Sequence, residues 1–120
     1  MKKKTLVLGA STNPDRYSYM AVRKLKYANV PVVAVGLREG EISGIIIEKP
    51  YPKFEGIHTI TLYIGPKNLP AYQDYILGLN PKRVIFNPGT ESPEFAEILS
   101  GAGIEVVFAC TLIMISNNLY

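Results

Sequence analysis

The sequence predicts an α/β fold: a doubly wound, three-layer parallel sheet of five strands in the order 3-2-1-4-5. Short apolar segments alternate with amphipathic ones along the chain, and this alternation is typical of βαβ units. The first apolar segment also lacks the alternating pattern of a strand with one face in water. Right-handed crossovers from a central first strand favour the stated order. The 120 residues fit one domain, 1–120, that is large enough for a hydrophobic core.

Five segments are predicted as strands. The first, Thr5–Leu8, is apolar enough for burial on both faces. A polar loop is predicted over residues 37–44. Residues 45–52 begin with three isoleucines, but Pro50 and Pro52 argue against a long strand, and an irregular excursion is expected there. The remaining predicted strands are residues 31–36, 58–64, 83–86 and 104–109.

Three segments have the spacing of amphipathic helices, namely residues 18–28, 69–79 and 91–102. In the third of these, Ser92 and Pro93 suit the N-cap and the first turn. Residues 111–120 are predicted as a tail with a short turn of helix.

The junction between the first strand and the first helix is the predicted anion site. Gly9, Ala10 and Ser11 are small enough for a phosphate to approach the backbone closely. Backbone N–H groups and the positive end of the helix dipole converge at such a turn. Arg16 and Ser18 are predicted as the polar wall of this site. The alternative is a turn without a ligand, because the chain must turn sharply between strand and helix in any βαβ unit. The stretch is not the dinucleotide fingerprint GxGxxG, since the second glycine is missing.

Composition excludes several classes of function. The net charge is +3, but without Lys2, Lys3 and Lys4, predicted as a solvated tail, ten basic residues balance ten acidic ones. This argues against a nucleic-acid-binding face. One cysteine and one histidine argue against a metal cluster and fit a reducing cytoplasm. No apolar segment has the length of a membrane helix or of a signal peptide, so no membrane partner is expected.

The predicted topology locates the ligand. In an open parallel sheet, ligands bind outside the carboxyl ends of the strands, at the point where the strand order reverses. The predicted order puts this point between strands one and four. Four loops are then expected to meet there, namely residues 9–18, 36–40, 64–67 and 87–91.

Three separated motifs resemble those of the small stand-alone CoA-binding proteins, relatives of the CoA-binding domain of succinyl-CoA synthetase α chains. The first is the Gly-Ala-Ser turn at residues 9–11, followed in register by Pro14, Arg16 and Ser18. The second is the stretch FNPGTESPE, and the third is AGIEVVFACTLIM. The similarity covers about residues 5–115 and implies a Rossmann-like fold that binds coenzyme A.

The resemblance also implies a position for each part of the ligand. The diphosphate would lie over residues 9–11, near Pro14, Arg16 and Ser18. The adenine and the ribose phosphate would lie near the end of the second strand, where the family often has Asn-Pro followed by Lys or Arg. Gly36 and Leu37 depart from that pattern, whereas Arg38 keeps the positive charge. The pantetheine arm would run toward Asn87, Pro88 and Gly89.

The expected function is binding of CoA or an acyl-CoA by a non-catalytic carrier, sensor or partner subunit. No catalytic or metal-binding residue is assigned. His58 and Cys110 are interpreted as structural, with a thiol that reacts with a CoA disulfide or acyl group as the alternative for Cys110. Tyr19 and Tyr63 are candidates to line the cleft.

Rival interpretations remain open on sequence grounds. One is a small NAD(P)-linked oxidoreductase or nucleotide-binding module, with NADP as the cofactor and Arg38 as the reader of its phosphate. Another is an interaction module with an empty cleft. The expected protein partners are a second copy of the chain, through apolar residues in 45–54 or 111–120, or an enzyme that uses CoA.

Overall fold

The computed structural model describes residues 3–120, which form one mostly parallel β-sheet with helices on both faces. Within these residues there are seven strands, β1 Thr5–Leu8, β2 Val32–Val35, β3 Gly40–Ile42, β4 Ile45–Glu48, β5 Thr59–Leu62, β6 Arg83–Phe86 and β7 Glu105–Phe108. The helices are α1 Tyr17–Tyr27, α2 Gln73–Leu79, α3 Pro93–Gly101 and α4 Thr111–Ser116, with a 3₁₀ turn at Leu69–Tyr72 leading into α2. The α/β class and the Rossmann-like architecture are confirmed.

The strand order is β3-β4-β2-β1-β5-β6-β7, so the predicted five-stranded order 3-2-1-4-5 is wrong. The predicted third strand, now β5, pairs with β1 on the side away from β2, with Thr5 opposite Thr59. The position beside β2 belongs to β4, a segment predicted to be irregular. With β4 counted as a strand, β1 is still the central strand of the sheet. The strand order still reverses beside β1, as in other doubly wound folds.

The two prolines that argued against a strand at residues 45–52 follow β4 and do not interrupt it. Glu48 is the last residue of β4, and the first proline is Pro50. The predicted polar loop over residues 37–44 contains β3, which pairs antiparallel with β4. Ser43 and Gly44 connect the two strands with φ values of 50° and 87°. Two consecutive residues of positive φ match the twist of a tight hairpin, so β3 and β4 form an antiparallel edge.

The central strand β1 supplies side chains to two separate cores, as expected for a sheet covered on both faces. Leu6 and Leu8 pack into the core under α2 and α3, together with Ile76 and Phe95. Val7 points the other way, into the core under α1. This alternation follows from the two-residue period of a strand. The three-layer arrangement predicted from the apolar strands is therefore present.

The start of α3 agrees with its sequence signal. The Ser92 hydroxyl caps α3 by accepting a hydrogen bond from the Phe95 N–H at 3.3 Å. The predicted turn of helix in the tail is α4. Across residues 3–120, no helix has the length and apolar character needed to cross a membrane. In the same range no group of three or more His, Cys, Asp or Glu side chains is arranged to hold a metal ion.

The amino-terminal lysines differ from the predicted solvated tail. Lys3 is half-buried and donates to the main-chain oxygen of Tyr120 at 2.6 Å, and Lys4 donates to that of Glu55 at 2.9 Å. Lys2 lies outside the described residues. Near Lys3, the buried Arg83 donates to the same Tyr120 oxygen at 3.0 Å. The lysines at this edge of the sheet thus fasten distant parts of the chain together.

Candidate functional site

The predicted loops meet at the carboxyl edge of the sheet, where the chain leaves β1 and β5 in opposite directions. After β1 the chain crosses to the face covered by α1, and after β5 it crosses to the face covered by α2. The reversal therefore lies between β1 and β5. The prediction placed it between strands one and four, and this is corrected because the predicted third strand is the true neighbour of β1.

The turn after β1 is held against the end of β5. Gly9 has a φ of 100°, in the region that favours glycine. A Cβ built on Gly9 would lie 2.9 Å from the carbonyl carbon of Tyr63, closer than real side chains approach. The Tyr63 N–H in turn donates to the Leu8 oxygen at 2.8 Å. The small residue predicted at position 9 is therefore required by backbone contact as well as by any ligand.

The same turn is held against the segment that follows β2. A Cβ on Gly36 would lie 2.2 Å from the Ala10 carbonyl oxygen, and a Cβ on Gly40 would lie 2.4 Å from the Thr12 methyl carbon. Ala10 itself is 5% exposed. The loops at 9–18 and 36–40 thus pack directly on each other, as the topology predicted.

The backbone donors of the turn divide into two groups. The N–H groups of Gly9 and Ala10 both donate to the Val35 oxygen, at 2.8 and 2.9 Å, and so bind β2 and not a ligand. Among the described residues, the N–H groups of Ser11, Thr12, Tyr17 and Ser18 have no hydrogen-bond acceptor in the protein. The N–H groups left to bind an anion are therefore those of Ser11 and Thr12, which follow Gly9 and Ala10 in the turn, and those of Tyr17 and Ser18 in the first turn of α1.

Local hydrogen bonds shape the loop that carries the predicted arginine. The Asn13 N–H donates to the Ser11 hydroxyl at 3.1 Å, and Asn13 Oδ1 accepts from the Asp15 N–H at 3.0 Å. The Arg16 N–H donates to the Asn13 oxygen at 3.0 Å and leads into α1. Such side-chain-to-backbone turns fix a loop without tertiary contacts.

The predicted wall residues differ in accessibility. Pro14 and Arg16 are exposed beside the turn, and Arg38 is exposed on the segment after β2. The Ser18 side chain is 4% exposed and belongs to the inward face of α1. Arg16 and Arg38 are thus free to reach an anion, whereas Ser18 offers its backbone N–H.

The loop after β6 is organised by one buried amide. Asn87 is 2% exposed, and its Nδ2 donates to the Thr61 hydroxyl at 2.7 Å and to the Leu62 oxygen at 2.8 Å. Its Oδ1 accepts from the Thr111 N–H at 2.8 Å. The side chain therefore ties β5, β6 and α4 together, and a ligand in this region would meet the exposed residues that follow it, Pro88 and Gly89.

A second polar group beneath this loop was missed by the sequence analysis. The hydroxyls of Thr61 and Thr111 lie 2.7 Å apart in a hydrogen bond and are both buried. Their separation of 50 residues leaves no local sequence signal. The nearby Tyr63 hydroxyl is buried close to the Thr61 and Thr111 hydroxyls, but it meets the distance and angle of a hydrogen bond with no group among the described residues. Burial raises the pKa of Tyr63 to about 12. Tyr63 is thus neutral at ordinary pH.

The other singled-out residues lie in three different places. Cys110 is half-buried at the N-cap of α4 and near Tyr63. His58 lies at the opposite, amino-terminal edge of the sheet, beside Thr59. Tyr19 lines a groove between α1 and α4, with the Arg23 guanidinium 6.0 Å from its ring centre. The structure therefore places the turn at Gly9–Ser11 against Gly36 through Ala10. Pro14 and Arg16 follow on the same loop, Arg38 lies two residues beyond Gly36, and Asn87–Gly89 lie on the loop after β6. Pro14 also lines the groove between α1 and α4.

A protein-family model described as a CoA binding domain matches residues 3–116 of this chain. The chain is also similar to a solved structure of an uncharacterized protein, with 48% sequence identity, a TM-score of 0.97, and coverage of 100% of this chain and 99% of the other. No curated protein gives a significant match.

Two further solved structures are similar to this chain. A Thermus thermophilus protein, cell-free ID.343, has 27% identity, a TM-score of 0.86, and coverage of 99% of this chain and 91% of its own. A conserved hypothetical protein from Pyrococcus furiosus has 28% identity, a TM-score of 0.76, and coverage of 90% and 93%. These proteins share nearly the whole fold with this chain.

Proposed function

The chain belongs to the CoA binding domain family, and from this premise we propose that it binds coenzyme A or an acyl-CoA through the diphosphate. The proposed site is the turn after β1, at the carboxyl edge of the sheet. The main support for this proposal is a set of four backbone N–H groups that have no acceptor among the described residues, those of Ser11, Thr12, Tyr17 and Ser18. The exposed Arg16 lies beside them in the sequence. Backbone donors at a helix start, next to a guanidinium, suit a diphosphate.

The remaining residues are assigned by their position around this turn. Gly9 and Ala10 form the floor by their small size, while their N–H groups fix the turn to β2. The exposed Arg38 is proposed to meet the ribose phosphate near the end of β2. The pantetheine arm is proposed to pass Pro88 and Gly89, on the loop that Asn87 holds in place.

The proposed role is non-catalytic: a carrier, a sensor or a subunit of a larger CoA-dependent system. The groups offered to the ligand are backbone amides, two arginines and small side chains, which bind and orient an anion. Burial raises the pKa of the Tyr63 hydroxyl, near Cys110, to about 12, so this hydroxyl stays protonated at neutral pH and has no phenolate form available to act as a base.

Calorimetric titration with CoA, dephospho-CoA and NADP tests the ligand assignment. We expect CoA to bind, and dephospho-CoA to bind about tenfold more weakly because a charged hydrogen bond at Arg38 is worth about 1.5 kcal/mol or more. Arg16→Ala should weaken CoA binding by a similar factor for the same reason. Arg23→Ala is the matched control, because Arg23 is an exposed arginine two turns further along α1.

Three results would contradict the proposal. Binding of NADP without binding of CoA would favour the oxidoreductase alternative. Equal affinities for CoA and dephospho-CoA would remove Arg38 from the site. Equal losses in Arg16→Ala and Arg23→Ala would show a general charge effect and would remove Arg16 from the site.

A further inference from the structure

The helices α1 and α3 carry charges of opposite sign. Residues 16–38 contain five basic and no acidic side chains, whereas residues 84–120 contain four glutamates and no lysine or arginine. The first segment includes α1 and the second includes α3, and these helices cover opposite faces. The domain is 27 Å across in its shortest dimension, several times the Debye length of about 8 Å at physiological salt. The basic side chains of α1 and the acidic side chains of α3 therefore do not neutralise each other within one molecule.

One exposed surface, which we name the basic face, lies on α1 and α4. On α1, Met20, Lys24 and Tyr27 repeat at helical spacing and point away from the core, with Arg23 beside them. Tyr27 is 93% exposed. With Ile115 of α4 these side chains line a groove of about 560 Å³. An open groove that combines apolar and basic side chains is typical of a protein-binding surface.

A second exposed surface, which we name the acidic face, lies on α3 and the edge strand β7. Glu94, Glu97 and Ile98 occupy the outer side of α3, and Ile98 is 50% exposed. Phe108 of β7 is 54% exposed and stacks on Phe86 with a ring-centre distance of 5.1 Å. Like the basic face, this surface has large apolar side chains beside charged ones, but here the charges are negative.

We propose that the basic face of one copy of this chain binds the acidic face of a second copy. Pairing either face with itself would oppose like charges, which disfavours a symmetric contact. Contact between the two faces pairs Arg23 and Lys24 with Glu94 and Glu97, and it covers apolar groups on both sides. Each contact uses the basic face of one copy and the acidic face of the other. A pair of copies therefore still exposes one basic face and one acidic face, and further copies can join head to tail into a ring or a chain.

The test measures molar mass by sedimentation equilibrium over a range of concentrations and salt. We expect the mass to rise with concentration, and to fall between about 50 mM and about 500 mM salt because the charges are screened. The paired charge reversals Arg23→Glu with Lys24→Glu, and Glu94→Lys with Glu97→Lys, should each leave monomers. An equimolar mixture of these two variants should associate again, since each then meets a partner of opposite sign.

The control is Lys49→Glu with Lys53→Glu, which makes the same charge change as the basic-face variant on exposed lysines outside both faces. It should associate like the wild type, and circular dichroism should show all variants folded. A wild type that stays monomeric at low salt and high concentration overturns the proposal. So does a mixture of the two reversed variants that stays monomeric, or association that the reversals leave unchanged.

Discussion

The Ala10 carbonyl oxygen lies where a side chain on Gly36 would begin, 2.2 Å from the position of a Cβ. The turn after β1 and the segment after β2 are therefore in direct backbone-to-backbone contact, with no side chain between them. A residue larger than glycine at position 36 would therefore displace the turn that is proposed to bind the diphosphate.

Gly36→Ala should lower both stability and CoA affinity. The added methyl group meets a main-chain oxygen that cannot rotate away, so we expect the free energy of unfolding to fall by about 1–3 kcal/mol. Urea denaturation measures this loss and calorimetry measures the affinity. Gly78→Ala is the matched control, because Gly78 lies within α2 and a Cβ there meets no atom within 4 Å. The control should be neutral or stabilised by up to about 1 kcal/mol, and equal losses in both variants would contradict the argument.

Asn87→Ala should destabilise the domain by about 2–4 kcal/mol, because it leaves the buried Thr111 N–H and Leu62 oxygen without partners. Asn68→Ala is the control, since Asn68 is exposed and makes no capping hydrogen bond. Thermal and urea denaturation compare the two. A cost for Asn87→Ala below about 1 kcal/mol would mean that the loop reorganises without its amide.

Tyr63→Phe should leave stability unchanged or raise it, because the buried Tyr63 hydroxyl has no hydrogen-bond partner among the described residues. Tyr75→Phe provides the contrast. The Tyr75 hydroxyl donates to the Pro52 oxygen, and its loss should cost about 1 kcal/mol. Urea denaturation of both variants checks the difference, and a larger cost for Tyr63→Phe would show that its hydroxyl is bonded in solution.

Stability should fall as pH is lowered through the ordinary pKa of histidine, 6.5. Burial, and then the charges of Arg83, Lys3 and Lys82, lower the pKa of His58 in the folded protein. The unfolded chain therefore binds more protons below pH 6.5, and the free energy of unfolding decreases there. His58→Gln should reduce this dependence between about pH 7 and about pH 5.5, measured by urea denaturation. Equal slopes in the two proteins would contradict the lowered pKa.

The fold class could be predicted from the sequence, but one part of the sheet order could not. Uniformly apolar strands such as Thr5–Leu8 carry the information that both faces are covered. The segment at Ile45–Glu48 was misinterpreted because prolines just beyond a strand look the same as prolines inside it. Its turn, Ser43 and Gly44, is the signal that could have identified a hairpin.

The sequence predicted which loops form the candidate site. It did not predict which polar groups of those loops bind other parts of the protein. The small residues at Gly9 and Ala10 predicted a close backbone approach. Which partner approaches, Val35 or a phosphate, depends on a strand more than twenty residues away. Likewise Asn87 was predicted beside the pantetheine arm, yet its three internal hydrogen bonds come from β5 and α4. Long-range pairing of this kind has no local pattern.

The hairpin of β3 and β4 pairs with the rest of the sheet over a short length. β4 is aligned with β2 over two residue pairs, whereas β1 shares four with each of its neighbours. Amide hydrogens in this hairpin should therefore exchange with solvent through partial opening, well before the central strands do. Because Gly40 rests on Thr12, each opening would also uncover the turn after β1. We therefore expect the rate at which the proposed ligand enters and leaves to depend in part on the opening of this edge hairpin.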